Sequence, residues 1–259
     1  MIEKRTKICL MDQPMGLGDI LYTQRIVERF VTLGYHVLYP VIKEYSWLDE
    51  YMSTDHVQFF SEEQPFVGMD LCGKHIVQPI ISEGFCYIPL RYASNHPINK
   101  SNWIGVMESK YQFLDMLDQA PLWAQSLKFQ RNSKKEQSLY YDVLGLKDGE
   151  DYIWKNSLIG SMNGQCKVMD NIKFENKGIR VVDHKAYEGY TMFDWCMVLE
   201  RAKELHSPDG STIFVAETLN LKMPKFLYPR MHDGVQYGKV DPSRCRVKHL
   251  FDSSWTLVD

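Results

Sequence analysis

Two short turns contain the residue types that could do chemistry. The first, Gly16-Leu17-Gly18-Asp19, lies between a buried apolar run and the start of a helical pattern. At a helix N-terminus the free N–H groups and the helix dipole favour an anion, and Gly16 and Gly18 let a ligand approach the backbone. Asp19 repels a phosphate, but its carboxylate can act as a base toward a neutral sugar hydroxyl. The alternative is that Asp19 only caps the helix, which contributes about 1 kcal/mol.

The second turn runs from Ser207 to Thr212, and it also follows a strand-like run and opens a helical one. Its hydroxyl groups, Gly210 and its exposed amides suit a diphosphate. The alternative is an ordinary loop that caps the next helix. The two turns are more informative together than apart, because parallel α/β sheets bind ligands at the carboxyl ends of their strands.

Other chemistries lack the residues that they need. The dinucleotide fingerprint G-x-G-x-x-G is incomplete, because its third glycine is replaced by Leu21, and Tyr39-Pro40 stand where an acidic residue is expected. The eight histidines show no spacing typical of metal ligands. We therefore expect neither a nicotinamide or flavin cofactor nor a catalytic metal.

The elements that must position the first turn form a strand–helix–strand unit. Ile8–Met11 reads as a buried strand, apolar residues then recur at helical spacing from Asp19 to Leu33, and Gly34 is placed to end that helix. His36–Tyr39 is the next strand. A helix between two strands predicts a parallel sheet with a right-handed crossover.

The second half repeats this alternation of strands and helices. Predicted strands lie at 152–154, 179–182, 205–206 and 226–228, and predicted helices start near Thr191 and Thr212. The polar stretch from Lys128 and the turn at 147–150 bracket a domain boundary. We therefore predict two α/β domains, residues 1–145 and 146–259.

Bulk composition limits the class of protein. Hydrophobic residues make up 44% of the 259 residues, which is typical of a folded globular chain. The net charge of −3 gives no sign of the excess of basic residues that is typical of nucleic-acid-binding proteins. The six cysteines are scattered without a C-x-x-C pair, as in a reduced protein, and no apolar run is long enough for a signal peptide or a transmembrane segment. We expect a cytoplasmic protein.

At its two turns the sequence resembles the heptosyltransferase-type glycosyltransferases of family nine. The stretch from Lys7 to Val41 is similar to the first strand, the G-x-G-D or A-L-G-D turn and the helix of that family. His206–Thr212 resembles the family's D-T/S-G turn, although the usual Thr between Asp and Gly is missing at Asp209-Gly210.

The resemblance implies the GT-B fold, in which two Rossmann-like domains with parallel sheets face a central cleft. It implies that residues 1–145 form the acceptor side and residues 146–259 the nucleotide-sugar side. It also implies an inverting, metal-independent transfer from a nucleotide-diphosphate sugar to a glycan or glycoconjugate acceptor, with no cofactor besides this donor. Asp19 is the implied general base, and the donor phosphates are implied to lie against the second turn.

Residues just beyond the strands of the second domain complete the candidates. Lys155 and Lys185 each follow a strand and could neutralise donor phosphates, or they could be solvated surface lysines. The full set of candidate donor-binding residues is Gly16, Gly18, Asn156, Lys185, Ser207, Asp209, Gly210, Ser211 and Thr212.

Two other functions stay open at this point. One is a nucleotide-sugar epimerase on the same fold, which would need no acceptor. The other is a module that binds a nucleotide or a glycan without turnover, since a fold does not fix a function.

Overall fold

The chain folds into two compact units, Met1–Gln130 and Arg131–Asp259. The computed structural model describes residues 6–62, 68, 74–95, 106–160, 166–168, 172–219, 221–228 and 255–258. Each unit is built on one five-stranded, mainly parallel sheet with helices between its strands. Two Rossmann-like α/β units are therefore present, as predicted.

The first unit carries five strands and five α-helices in its described residues. The strands are β1 (Lys7–Met11), β2 (Tyr35–Ile42), β3 (Val57–Glu62), β4 (Ile80–Ile81) and β5 (Phe85–Ile88). The α-helices are α1 (Leu17–Tyr22), α2 (Gln24–Thr32), α3 (Leu48–Met52), α4 (Val106–Gln112) and α5 (Trp123–Ser126). Short 3₁₀ helices cover Lys43–Tyr45, Leu90–Asn95 and Leu117–Leu122.

The first sheet has the strand order β3-β2-β1-β5-β4, and only β4 runs antiparallel to its neighbour. After β1 the chain adds β2 and β3 on one side, and β5 then pairs with the other side of β1. The order therefore reverses between β1 and β5. Such a switch point opens a crevice beyond the carboxyl ends of the two strands, where ligands bind in α/β folds.

The helix expected between Asp19 and Leu33 is divided at Thr23 into α1 and α2. The Thr23 hydroxyl donates to the carbonyl of Ile20 (3.0 Å) and lies 3.0 Å from the hydroxyl of Tyr39, which is fully buried. The Ile20 carbonyl also accepts from the side-chain amide of Gln24 (2.8 Å), so two side chains bond to it at the break between α1 and α2. Gly34 follows α2 with a positive φ of 82°, as a C-terminal glycine should.

The second unit carries seven strands and three α-helices in its described residues. The strands are β6 (Tyr152–Lys155), β7 (Leu158–Gly160), β8 (Cys166–Val168), β9 (Arg180–Asp183), β10 (Glu204–Pro208), β11 (Lys225–Tyr228) and β12 (Trp255–Leu257). The α-helices are α6 (Ser133–Gln137), α7 (Cys196–Arg201) and α8 (Ser211–Thr218). A π-helical turn covers Ser138–Val143, and a 3₁₀ helix covers Met192–Trp195.

The second sheet has the order β12-β11-β10-β6-β9, and all of its strand pairs are parallel. The chain passes from β6 to β9 on one side and then places β10, β11 and β12 on the other. Its switch point therefore lies between β6 and β10. The strands β7 and β8 form a separate antiparallel pair.

The division between the units falls between Gln130 and Arg131, before the expected boundary at residue 145. The segment 131–145 packs on the second unit. Arg131 pairs with Glu200 near the end of α7, and Arg180 of β9 donates to the carbonyl of Leu144 (2.6 Å).

Candidate functional site

The first turn stands at the switch point of the first sheet. The chain leaves β1 through Asp12 and Gln13, both buried, and reaches α1 after Gly16. The amide of Gln13 donates to the carbonyl of Met15 (2.6 Å), which closes the turn on itself. Gly16 has a φ of 77°, a left-handed conformation that glycine adopts without strain. The turn therefore places the start of α1 beside the carboxyl ends of β1 and β5.

Asp19 is the third residue of α1, and Gly16 rather than Asp19 holds the N-cap position. The Asp19 carboxylate forms an ion pair with Lys110 of α4, with 3.1 Å between Oδ1 and Nζ. Its side chain is 27% exposed, whereas that of Lys110 is only 4% exposed. The reading of Asp19 as a simple helix cap is therefore wrong, and the carboxylate is held by charge while it stays open to solvent.

Lys110 joins three parts of the switch point. Besides Asp19, its ammonium donates to Oε1 of Gln13 (2.9 Å) and to the carbonyl of Leu90 (3.5 Å), at the ends of β1 and β5. An ammonium has three N–H groups, and three acceptors surround this one. A buried lysine is tolerated only with such partners, because its desolvation is costly.

A second buried ion pair lies beside the first. Asp12 accepts hydrogen bonds from the Tyr87 hydroxyl (2.5 Å) and from Nε of Arg91 (2.5 Å), and Arg91 also forms an ion pair with it. Burial raises the pKa of Asp12, although Tyr87 and Arg91 oppose that rise. Burial and the nearby carboxylate together raise the pKa of Tyr87. Asp12, Tyr87 and Arg91 therefore connect the end of β1 to β5 and to the residues after it, next to the first turn.

In the second unit, Asn156 links the two strands of the switch point. It follows β6, is 2% exposed, and its backbone N–H donates to the carbonyl of His206 in β10 (2.8 Å). Its side-chain amide donates to the hydroxyls of Ser207 (3.4 Å) and Thr212 (3.2 Å) and accepts from the N–H of Leu158 (2.9 Å). One side chain thus fixes both ends of the β10–α8 turn.

The second turn divides into buried and accessible residues. Ser207, Asp209 and Thr212 are buried, and the Ser207 hydroxyl donates to the carbonyl of Pro208 (3.0 Å). Gly210 and Ser211 are only partly buried, and Gly210 is the N-cap of α8. Gly210 has no side chain with which to cap the first amides of α8, which follow the carboxyl end of β10. That arrangement suits a phosphate.

Lys155 and Lys185 lie nearer the sheet edge, at the ends of β6 and β9. Lys155 pairs with Asp183 (2.8 Å), while Lys185 is exposed and lines an open groove of about 270 Å³ along β9. His184, the residue before Lys185, contacts the rings of Trp154 and Trp195. Burial lowers the pKa of His184 to about 4, so its imidazole is neutral near pH 7.

The structure thus brings Gly16, Gly18 and Asp19 together in one unit, and Asn156 together with Ser207–Thr212 in the other, while Lys185 stands apart at the groove along β9. Sequence reasoning missed Asp12, Gln13, Arg91 and Lys110. Asp12 and Gln13 directly follow an apolar strand, and that signal could have identified them. Arg91 and Lys110 gave no comparable signal, because their roles depend on how β5 and α4 pack.

Several known proteins of solved structure are similar to this chain. No protein-family model and no curated protein matches the sequence. Three similar solved structures are all described as glycosyltransferases, the class that the sequence resembles. A family 9 glycosyl transferase from Veillonella parvula has a TM-score of 0.47 and 12% identity, over 88% of this chain and 81% of that one.

The other two structures come from Escherichia coli. The iron-containing dodecameric glycosyltransferase TibC has a TM-score of 0.45 and 11% identity, over 86% of this chain and 58% of that one. The heptosyltransferase WaaC with ADP-2-deoxy-2-fluoro heptose has a TM-score of 0.39 and 12% identity, over 98% and 93%.

Of the helices in the described part of the chain, none has both the length and the apolar character that a membrane crossing requires. Within the same ranges, His, Cys, Asp and Glu side chains do not gather in groups of three or more that could hold a metal ion.

Proposed function

We propose that the chain is an inverting glycosyltransferase, which moves a sugar from a nucleotide-diphosphate sugar to a hydroxyl of a glycan or glycoconjugate. The observation that supports this most is the position of the two turns. Each stands at the switch point of its own parallel sheet, where α/β folds bind ligands. One turn presents the Asp19 carboxylate, and the other presents amides and hydroxyls suited to a diphosphate.

Asp19 acts as the general base in this proposal. Its carboxylate takes the proton of the acceptor hydroxyl while the hydroxyl oxygen bonds to the anomeric carbon. The bond from that carbon to the diphosphate oxygen breaks at the same time, and the diphosphate leaves with the electron pair. Attack from the opposite face inverts the configuration. Gly16 leaves room for Oδ2 of Asp19, which a Cβ at that position would overlap.

The second turn stabilises the leaving diphosphate. The first amides of α8, Gly210 and the Ser211 hydroxyl are the contacts that we propose, because they are partly exposed at the helix N-terminus. The hydrogen bond from Asn156 to Thr212 keeps this turn in its shape. Ser207 and Asp209 are buried residues of the same turn. Lys185 lines the groove along β9, apart from this turn, so we assign it no contact with the diphosphate.

The proposal includes a cytoplasmic setting and a transfer that needs no metal. Cys9 and Cys86 are opposite each other on neighbouring strands, yet both are buried free thiols, which fits a reducing compartment. The metal question has a direct test, because transfer that needs no metal continues at an unchanged rate after treatment with EDTA.

The decisive variant is Asp19→Asn, with Asp55→Asn as its control, since Asp55 is an exposed acid in the same unit. Nucleotide sugars are first screened by thermal shift, because a ligand at about 100 times its Kd stabilises by about 2.7 kcal/mol. Transfer is then assayed with the donors that bind. We expect Asp19→Asn to keep the donor-induced shift and to lose at least about a hundredfold in kcat. Asp55→Asn should match the wild type.

Each other outcome has a distinct meaning. Full activity in Asp19→Asn removes Asp19 from the mechanism. Conversion of the donor without any acceptor identifies an epimerase instead. Binding with neither transfer nor hydrolysis across a broad acceptor panel identifies a non-catalytic module. Because Asp19→Asn leaves Lys110 without its counter-charge, the assay temperature is kept below the melting temperature of both variants.

A further inference from the structure

Lys110 is too deeply buried for an ordinary surface lysine. Its side chain is 4% exposed, and its three acceptors come from α1, from the residue pair after β1 and from the residues after β5. A buried ion pair is weak evidence for stability, because an apolar side chain of similar size often stabilises as well. Such a pair fixes the positions of its two charged groups, and here one of those groups is the Asp19 carboxylate.

The ion pair distinguishes the two oxygens of the Asp19 carboxylate. Lys110 contacts Oδ1. The other oxygen, Oδ2, lies beside Gly16, so closely that a Cβ at position 16 would overlap it. Lys110 therefore holds the carboxylate through Oδ1, whereas Oδ2 occupies the room that the missing side chain at Gly16 leaves and belongs to a side chain that is 27% exposed.

We infer that Lys110 is the positioning residue of this site, and that it presents Oδ2 of Asp19 to the acceptor hydroxyl. The inference rests on the proposed transferase function. Lys110 also holds Gln13, whose amide closes the turn before α1, so it fixes both the carboxylate and the turn. Lys110 itself touches neither substrate in this role. It acts through Asp19.

The test is a double-mutant cycle with Lys110→Met, Asp19→Asn and the double variant. Lys128→Met is the control, since Lys128 is a lysine of the same unit with a side chain that is 78% exposed. We expect Lys110→Met to lower kcat by roughly ten- to a hundredfold, because a displaced catalytic group costs that much, and to leave KM for the donor unchanged. In the Asp19→Asn background, Lys110→Met should change kcat by less than about threefold.

Two results from the variants that carry Lys110→Met would overturn the inference. One is a wild-type kcat in Lys110→Met. The other is full multiplication of the two losses in the double variant, because independent effects multiply and a residue that acts through Asp19 has no effect left once the carboxylate is gone. Loss of transfer in Lys128→Met would show that any charge loss in this unit impairs the assay, and it would overturn the inference as well.

Urea unfolding of the same four proteins separates this inference from the proposed function. If the wild type transfers no sugar, the proposed function fails, and the cycle of unfolding midpoints still tests the coupling. Coupled residues give a double variant with nearly the midpoint of Lys110→Met alone, whereas additive shifts overturn the inference. If Lys110→Met does not fold, recovery of folding in the double variant supports the inference, because the unpaired carboxylate is then removed. Failure to recover overturns the inference.

Discussion

At the scale of single residues, Gly16 is subject to two separate constraints. Its φ of 77° disfavours any L side chain, and a Cβ would overlap Oδ2 of Asp19. Gly34 shares only the first constraint, since its φ is 82° and a Cβ there would meet nothing within 4 Å. The two glycines therefore separate the backbone effect from the effect on the carboxylate.

Gly16→Ala and Gly34→Ala should each destabilise the protein by about 1–2 kcal/mol, because both place alanine in the left-handed region. Only Gly16→Ala should also reduce sugar transfer, since it displaces the Asp19 carboxylate. Urea denaturation gives the free energy of unfolding, and steady-state assays give kcat. Equal transfer in the two variants would mean that the position of Oδ2 does not matter for the reaction.

At the scale of secondary structure, one amide side chain holds the second turn. Asn156 reaches the hydroxyls of Ser207 and Thr212 and the N–H of Leu158, so it joins β6, β10 and α8. Asn132 is a useful comparison in the same unit. Its side chain accepts one hydrogen bond, from the N–H of Lys135 (3.1 Å), and caps α6.

Asn156→Ala should cost about 1–3 kcal/mol, because it leaves buried polar groups without their partner. It should also shrink the thermal shift produced by the nucleotide-sugar donor, since the turn loses its shape. Asn132→Ala should cost about 1 kcal/mol as a lost cap and leave the donor shift unchanged. A donor shift of wild-type size in Asn156→Ala would separate the shape of this turn from donor binding.

Local elements could be predicted from the sequence because their signals are local. The apolar run of β1, the glycine turn after it, Gly34, and the helical start after Thr191 all stand where they were expected. The break at Thr23 could not be predicted, because the apolar helical spacing continues through it. The strand β12 was also missed, since three residues carry little pattern by themselves.

The candidate site was predictable in part for the same reason. Asp19 and the Ser207–Thr212 turn stand out, since glycines and hydroxyls next to apolar strands are visible in the sequence. Lys110 does not stand out, because it is 97 positions from Gln13, its partner at the end of β1. Only the packing of α4 against the ends of β1 and β5 reveals that these residues meet. The burial of Ser207 and Thr212 is likewise a tertiary fact, and it changes their proposed role from contact to support.

At the scale of the whole molecule, the two units are anchored separately at consecutive residues. The N–H of Gln130 donates to the carbonyl of Tyr51 in the first unit (2.7 Å). Arg131 donates to Glu136 (2.8 Å) and Glu200 (2.8 Å) in the second unit. Each sheet also has its own switch point, so each unit contains the frame for its own ligand.

This division predicts that the fragment 131–259 folds without the first unit. A five-stranded parallel sheet with a buried core is enough for independent folding, and the second turn lies wholly inside the fragment. The fragment should unfold cooperatively in urea and keep the thermal shift caused by the nucleotide-sugar donor, while fragment 1–130 should show no such shift. Transfer should be absent from both, because Asp19 and the donor turn are then on different chains. A donor shift in 1–130 alone would reverse the assignment of donor and acceptor units, and it would make the Asp19 turn the phosphate site despite its carboxylate.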